Sequence, residues 1–297
     1  MKITPLHVLV FATSYGCVSV FTRSALDEGA GSTTILLMRG LGSAVLLWIG
    51  LLLARMEWRL PPRERNRSLA FGFLLAAGNF CMVEAVRDIP VPIAVLILYT
   101  FPILTSLASA MLGREPLTTR MLVALVMAFA GLAIIVQARI DEYTMKGILL
   151  SFGASVMFST VLVLQSIVFK DGDPLRRTLH MLATVAVVMI IACAWSGGPQ
   201  FPSSLYGLTT LFAIPATYVL GITGLFMAAR AIGPARTSLY MNFEPVAAAI
   251  LAALILDQAL TPVQIGGAAI VLFALLVARG LPPTPPVPDP APTGKVN

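Results

Sequence analysis

Apolar residues along this chain fall into ten runs of about twenty, separated by short polar stretches. They cover approximately residues 6–26, 32–54, 69–87, 91–112, 119–138, 147–169, 176–196, 207–229, 236–256 and 262–279. A helix rises about 1.5 Å per residue, so each run is long enough to cross ~30 Å of hydrocarbon. The pattern predicts an all-α integral membrane protein with ten transmembrane helices. Soluble classes are excluded by composition, with 58% hydrophobic and only 11% charged residues, against roughly 45–50% and about 25% in soluble domains.

The runs also repeat. Sliding the chain by 143 positions carries Leu98-Tyr99-Thr100-Phe101-Pro102 onto Met241-Asn242-Phe243-Glu244-Pro245. Gly78 then falls on Gly221, Arg87 on Arg230 and Leu117-Thr118 on Leu260-Thr261 without a gap. This predicts a duplicated unit, with residues 1–139 and 140–280 as five-helix repeats. Five is odd, so the second repeat enters the membrane from the opposite side and the repeat is inverted. In each copy a proline, Pro102 or Pro245, interrupts an apolar span beside polar residues. Paired broken spans at matching positions are the best sequence pointer to a transporter's binding site.

Charge then orients the chain. With the N-terminus inside, fifteen of the twenty Lys and Arg fall on the inner face, Arg59, Arg63, Arg65 and Arg67 among them. Arg23, Arg87, Arg139 and Lys146 fall outside, and Arg39 lies within a span. That asymmetry predicts that both termini are cytoplasmic. The net charge of +6 is accounted for by these loops, so no nucleic-acid partner is implied. No cleavable-signal pattern is read at the N-terminus. Residues 281–297 hold seven prolines and read as a disordered cytoplasmic tail. Cys17, Cys81 and Cys193 fall inside spans as core fillers, with no metal spacing and no implied cofactor.

A charge at a helix centre costs roughly 2.5–3.5 kcal/mol on insertion scales, so intramembrane polar groups face the bundle interior. Arg39, Asn79, Glu84 and Glu244 stand out on that ground. Arg39 could snorkel, pair with Glu84 or Glu244, or contact substrate. Glu84 sits one turn from the surface. Glu244 could bind an ammonium group, carry a coupling proton, or cap a broken helix. Tyr99 and Asn242 are equivalent, three residues before each proline, on stripes of small and polar residues suited to a cavity wall. Tyr240 shares a second stripe with Glu244, and Tyr218 and Phe101 add aromatic surface. No phosphate loop, catalytic triad or carboxylate–histidine cluster is present, so the sequence does not read as an enzyme.

The stretch ending in Pro102, followed by Gly113-Arg114-Glu115-Pro116-Leu117-Thr118, resembles the drug/metabolite transporter superfamily, in its ten-helix EamA branch. So does Phe243-Glu244-Pro245-Val246 with Asp257-Gln258-Ala259-Leu260-Thr261 and Gly266-Gly267-Ala268. Gln258 stands where the family commonly has glutamate. The resemblance implies an inner-membrane exporter whose inverted units surround a central cavity, similar to bacterial aromatic amino acid and drug exporters. It makes Asn79, Tyr99, Phe101, Tyr218, Tyr240, Asn242 and Glu244 the substrate-contacting candidates. The expected cargo is an amino acid or related amphipathic metabolite, moved by alternating access in a lipid bilayer, and a monomer is compatible with this. A passive facilitator or a non-transporting receptor are the alternatives.

Overall fold

The computed structural model describes residues 3–137, 144–169, 173–256 and 259–279. The expectations for Lys2, Arg139, Lys170, Asp257, Gln258, Lys295 and the tail 281–297 lie outside the described residues. Among the described residues all regular structure is helical. Ten helices are long and apolar enough to cross a membrane: Pro5–Asp27, Ser32–Leu53, Pro62–Asp88, Val91–Met111, Thr119–Val136, Met145–Val168, Pro174–Trp195, Leu205–Ile232, Pro234–Ile255 and Pro262–Arg279.

The third span starts at Pro62, seven residues before its apolar run. Hydropathy marks where hydrocarbon begins, whereas a helix continues into water if its start is favourable. Here Pro62 occupies the first turn, where a missing N–H costs nothing. Arg63, Arg65 and Arg67 therefore sit on helical turns rather than in a loop.

The repeats interdigitate. The first span packs on the eighth and the sixth packs on the third. These are equivalent pairings, since the duplication relates the first span to the sixth and the third to the eighth. Likewise the fifth packs on the tenth, and the second half of the fourth packs on the first half of the ninth. One apolar core thus draws on both repeats. Side chains facing outward are large and apolar, including Leu53, Met111, Trp195 and Leu254, as a lipid-facing wall requires.

Small residues permit the closest contacts, as in other membrane bundles. A Cβ on Gly131 would lie 2.7 Å from the Gly267 carbonyl oxygen, and a Cβ on Gly267 would lie 2.7 Å from that of Gly131. A Cβ on Gly16 would meet the Ala248 amide at 2.9 Å.

Each end of the bundle is tied differently. At the end carrying the Arg63–Arg67 cluster, Arg177 Nε pairs with Glu64 at 3.2 Å and Arg176 with Glu57 at 3.8 Å. Trp58 stacks on His180 there. At the opposite end Lys146 pairs with Asp88 at 2.9 Å, and the other ties between spans are neutral or use a single charge. Gly31 N donates to the Gln200 carbonyl at 3.0 Å, Gln200 N to Thr34 Oγ1 at 2.7 Å and Ser204 Oγ to Glu28 at 2.5 Å. By the duplication these segments correspond, 28–34 to 171–177 and 196–204 to 53–61.

Candidate functional site

Proline has no N–H to offer the carbonyl four residues back. In the fourth span the helix accordingly stops at Leu98 and resumes at Phe101; in the ninth it stops at Met241 and resumes at Phe243. Leu98 and Met241, whose carbonyls lose their usual donor, both line one cavity between the repeats. That cavity, about 90 Å³, is also lined by Tyr15, Arg39, Tyr99, Phe101, Phe158, Phe226 and Glu244. At ~30 Å³ per molecule it has room for about three waters.

The lining follows the duplication. Tyr15 and Phe158, Leu98 and Met241, and Phe101 and Glu244 are pairs related by the 143-residue offset, and all six line the cavity. It therefore straddles the axis relating the repeats. Leu98 and Met241 are not among the site residues expected from sequence, and Tyr15 and Phe158 read there as span aromatics that could stack on a substrate or simply pack helices. The offset itself is the signal that could have found them, because a wall at the axis must take residues in pairs.

The first break is fixed locally. The Thr100 hydroxyl donates to the Ile97 carbonyl at 2.8 Å and lies 2.8 Å from the Ser155 hydroxyl of the sixth span. This holds Tyr99, buried, and Phe101 with their rings 5.9 Å apart. The second break is held by Asn242, whose amide donates to the Leu239 carbonyl at 2.9 Å and reaches that of Ser238 at 3.5 Å. The amide of Asn242 is thus turned onto its own span, and this residue is not among those lining the cavity. Glu244 lies in the first turn of the helix after the break, with Tyr99 close to its carboxylate.

Arg39 reaches the same cavity from the second span. Residues Met38–Gly42 form a π turn, which widens the helix by one residue. Such turns are rare and concentrate at functional positions. Gly40 and Gly42 let the turn nest closely: a Cβ on Gly42 would lie 2.5 Å from the Pro215 ring and one on Gly40 3.1 Å from Val185. The Arg39 guanidinium lies 4.2 Å over the Tyr218 ring, which meets Tyr15 edge-on at 5.6 Å. Arg39 Nε is buried with no hydrogen-bond partner among the described residues.

Of the other candidates, Tyr218 backs Arg39 rather than lining the cavity. Asn79 and Tyr240 are buried in their spans away from the lining. Glu84 pairs with Arg87 at 2.8 Å near the end of the third span and does not reach Arg39. Its proximity to the surface provides an easier partner on its own helix, one turn away. Among the described residues no cluster of His, Cys, Asp or Glu could hold a metal ion.

A family model described as the EamA-like transporter family matches residues 3–137 and again residues 145–280. The "Uncharacterized transporter YyaM" of Bacillus subtilis (strain 168) is 27% identical over 195 residues, 63% of this chain. The match spans 63% of the length of that relative, short of two thirds. A solved crystal structure superposes with a TM-score of 0.73 over 90% of this chain and 94% of its own, at 18% identity. That likeness establishes a shared fold.

Proposed function

Because the chain belongs to the EamA-like transporter family, we propose that it exports amino acids and related small metabolites by alternating access through the cavity between its repeats. The distribution of Lys and Arg supports an orientation with both termini in the cytoplasm, and membership of the family supports an inner (plasma) membrane. The observation that carries this reading is one cavity placed where both broken spans meet, with an aromatic wall and a single carboxylate. Tyr99, Phe101 and neighbouring rings would hold an apolar side chain, and Glu244 the polar end or a coupling proton. At about 90 Å³ the cavity must widen to admit such a cargo, and rocking of two inverted units about a midplane site supplies that change.

A passive facilitator is the second reading, favoured only by the scarcity of intramembrane carboxylates for coupling. Ties at both ends of the bundle support a carrier instead. The deciding experiment is uptake of radiolabelled amino acids into proteoliposomes, with and without a pH gradient. The expected result is saturable uptake that excess unlabelled amino acid suppresses. No uptake by demonstrably folded protein sinks the amino acid assignment. Glu244→Ala is expected to abolish most transport while inserting normally; undiminished flux in that variant removes Glu244 from the mechanism.

A further inference from the structure

The cavity holds one group of each charge, and they are not in contact. Arg39 and Glu244 both line it, yet neither has an ion-pair partner within 4.0 Å among the described residues. The Tyr218 ring face gives the Arg39 cation partial compensation. That contact supplies no carboxylate, and the guanidinium Nε is buried without an acceptor. A planar fork of N–H donors with an unfilled position suits a carboxylate. Glu244, with the Tyr99 hydroxyl beside it, offers the complementary acceptor for an ammonium group. A cation and an anion kept apart across an apolar-walled gap favour a ligand that carries both charges a few bonds apart.

We propose that Arg39, presented by the π turn Met38–Gly42, binds the carboxylate of the cargo opposite Glu244, making the cavity selective for zwitterions over singly charged molecules of the same shape. This rests on the carrier reading above. Its physical basis is the asymmetry of buried charge: a ligand lacking one of its two charged groups leaves a protein charge desolvated and unpaired. Arg39 is then a specificity-determining residue, and the aromatic wall of Tyr99, Phe101, Phe158 and Phe226 receives the side chain.

The test uses the full chain in lipid nanodiscs with tritiated L-phenylalanine as the probe. Two competitors each lack one charge: phenethylamine has no carboxylate and 3-phenylpropionate has no ammonium. Both are expected to compete at least about tenfold more weakly than phenylalanine, a difference of about 1.4 kcal/mol. Arg39→Met is expected to weaken phenylalanine but not phenethylamine, and Glu244→Gln to weaken phenylalanine but not 3-phenylpropionate. If phenethylamine competes with wild-type protein as well as phenylalanine does, the Arg39 assignment falls and the carrier stands. Full discrimination retained by Arg39→Met would overturn the assignment in the same way. Should Arg39→Met fail to fold, the wild-type competition decides alone. Folded wild-type protein that binds none of the three probes overturns both this inference and the aromatic amino acid reading it rests on.

Discussion

Several single side chains in this bundle are tied to backbone groups of another element or of their own break. Glu115, in the loop after the fourth span, is buried, and its carboxylate accepts from the Ala235 amide at 2.8 Å. It caps the ninth span at its first turn. Gly233 makes room: it adopts φ +92°, and a Cβ there would lie 2.5 Å from the Glu115 carboxyl carbon. Glu115→Ala strands a buried donor and is expected to cost about 1–3 kcal/mol, read as a lower thermal midpoint in detergent; Glu115→Gln, which keeps an acceptor oxygen, costs less. Burial pushes the Glu115 carboxyl above the ordinary carboxylate value, outweighing the lowering effect of the Ala235 and Arg236 amides and of the Arg236 charge. The folded protein thus holds this proton more tightly than the unfolded chain. Its contribution is full below the unfolded value of ~4.3 and is lost as pH rises toward the folded one. The wild-type midpoint should therefore carry a component that declines across that interval, and Glu115→Gln should remove it. Helical spacing places Asn242 on a cavity stripe, but spacing carries no information about hydrogen-bond demand. Its amide serves the carbonyls of Ser238 and Leu239 at the break. Asn242→Leu, which keeps the branched shape and loses the donor, is expected to cost at least about 0.5–1.5 kcal/mol in the same unfolding assay.

At the scale of elements, hydropathy locates all ten spans and the duplication locates the two breaks. Both signals are redundant over many residues, which is why they survive in a single sequence. What they do not contain is backbone shape within a span. The π turn at Met38–Gly42 leaves no hydrophobic signature, and Pro215 sits inside a continuous eighth helix where Pro102 and Pro245 mark breaks. Thr217 contributes there, its hydroxyl donating to the Ala213 and Ile214 carbonyls. Neighbours decide such cases, and neighbours come from the other repeat. Gly42 packs on Pro215, and Ser43 Oγ donates to the Pro215 carbonyl at 3.1 Å. The fifth and tenth spans meet through Gly131 and Gly267. Gly131→Val would drive a side chain into the Gly267 carbonyl and should cost at least about 1–3 kcal/mol through overpacking, with loss of folded yield in size-exclusion profiles. An unchanged profile would mean that the two helices can separate without penalty.

For the whole molecule, ion pairs between spans tie both ends of the bundle. Arg177 is 3% exposed in its side chain and Glu64 33%, so Glu64→Gln leaves a buried cation with a neutral acceptor in place of its ion-pair partner, beside the Phe169 ring at 4.3 Å. The single variant should lose about 1–3 kcal/mol, and the Glu64→Gln/Arg177→Met pair should lose less than the sum of its singles; additive losses in a thermal double-mutant cycle would refute coupling across this end. The opposite end combines a partly exposed Lys146–Asp88 pair at 2.9 Å with backbone donors and hydroxyls, and only the former is open to screening by added salt. A further consequence follows from the unequal pairs at the axis. Glu244 corresponds to Phe101 and Arg39 to Leu182. A homodimer built from two identical five-helix chains would present either two carboxylates or two guanidiniums there, never one of each. Only unlike halves, free to mutate separately as they are here in one polypeptide, can hold a dipole at what would otherwise be a symmetry axis.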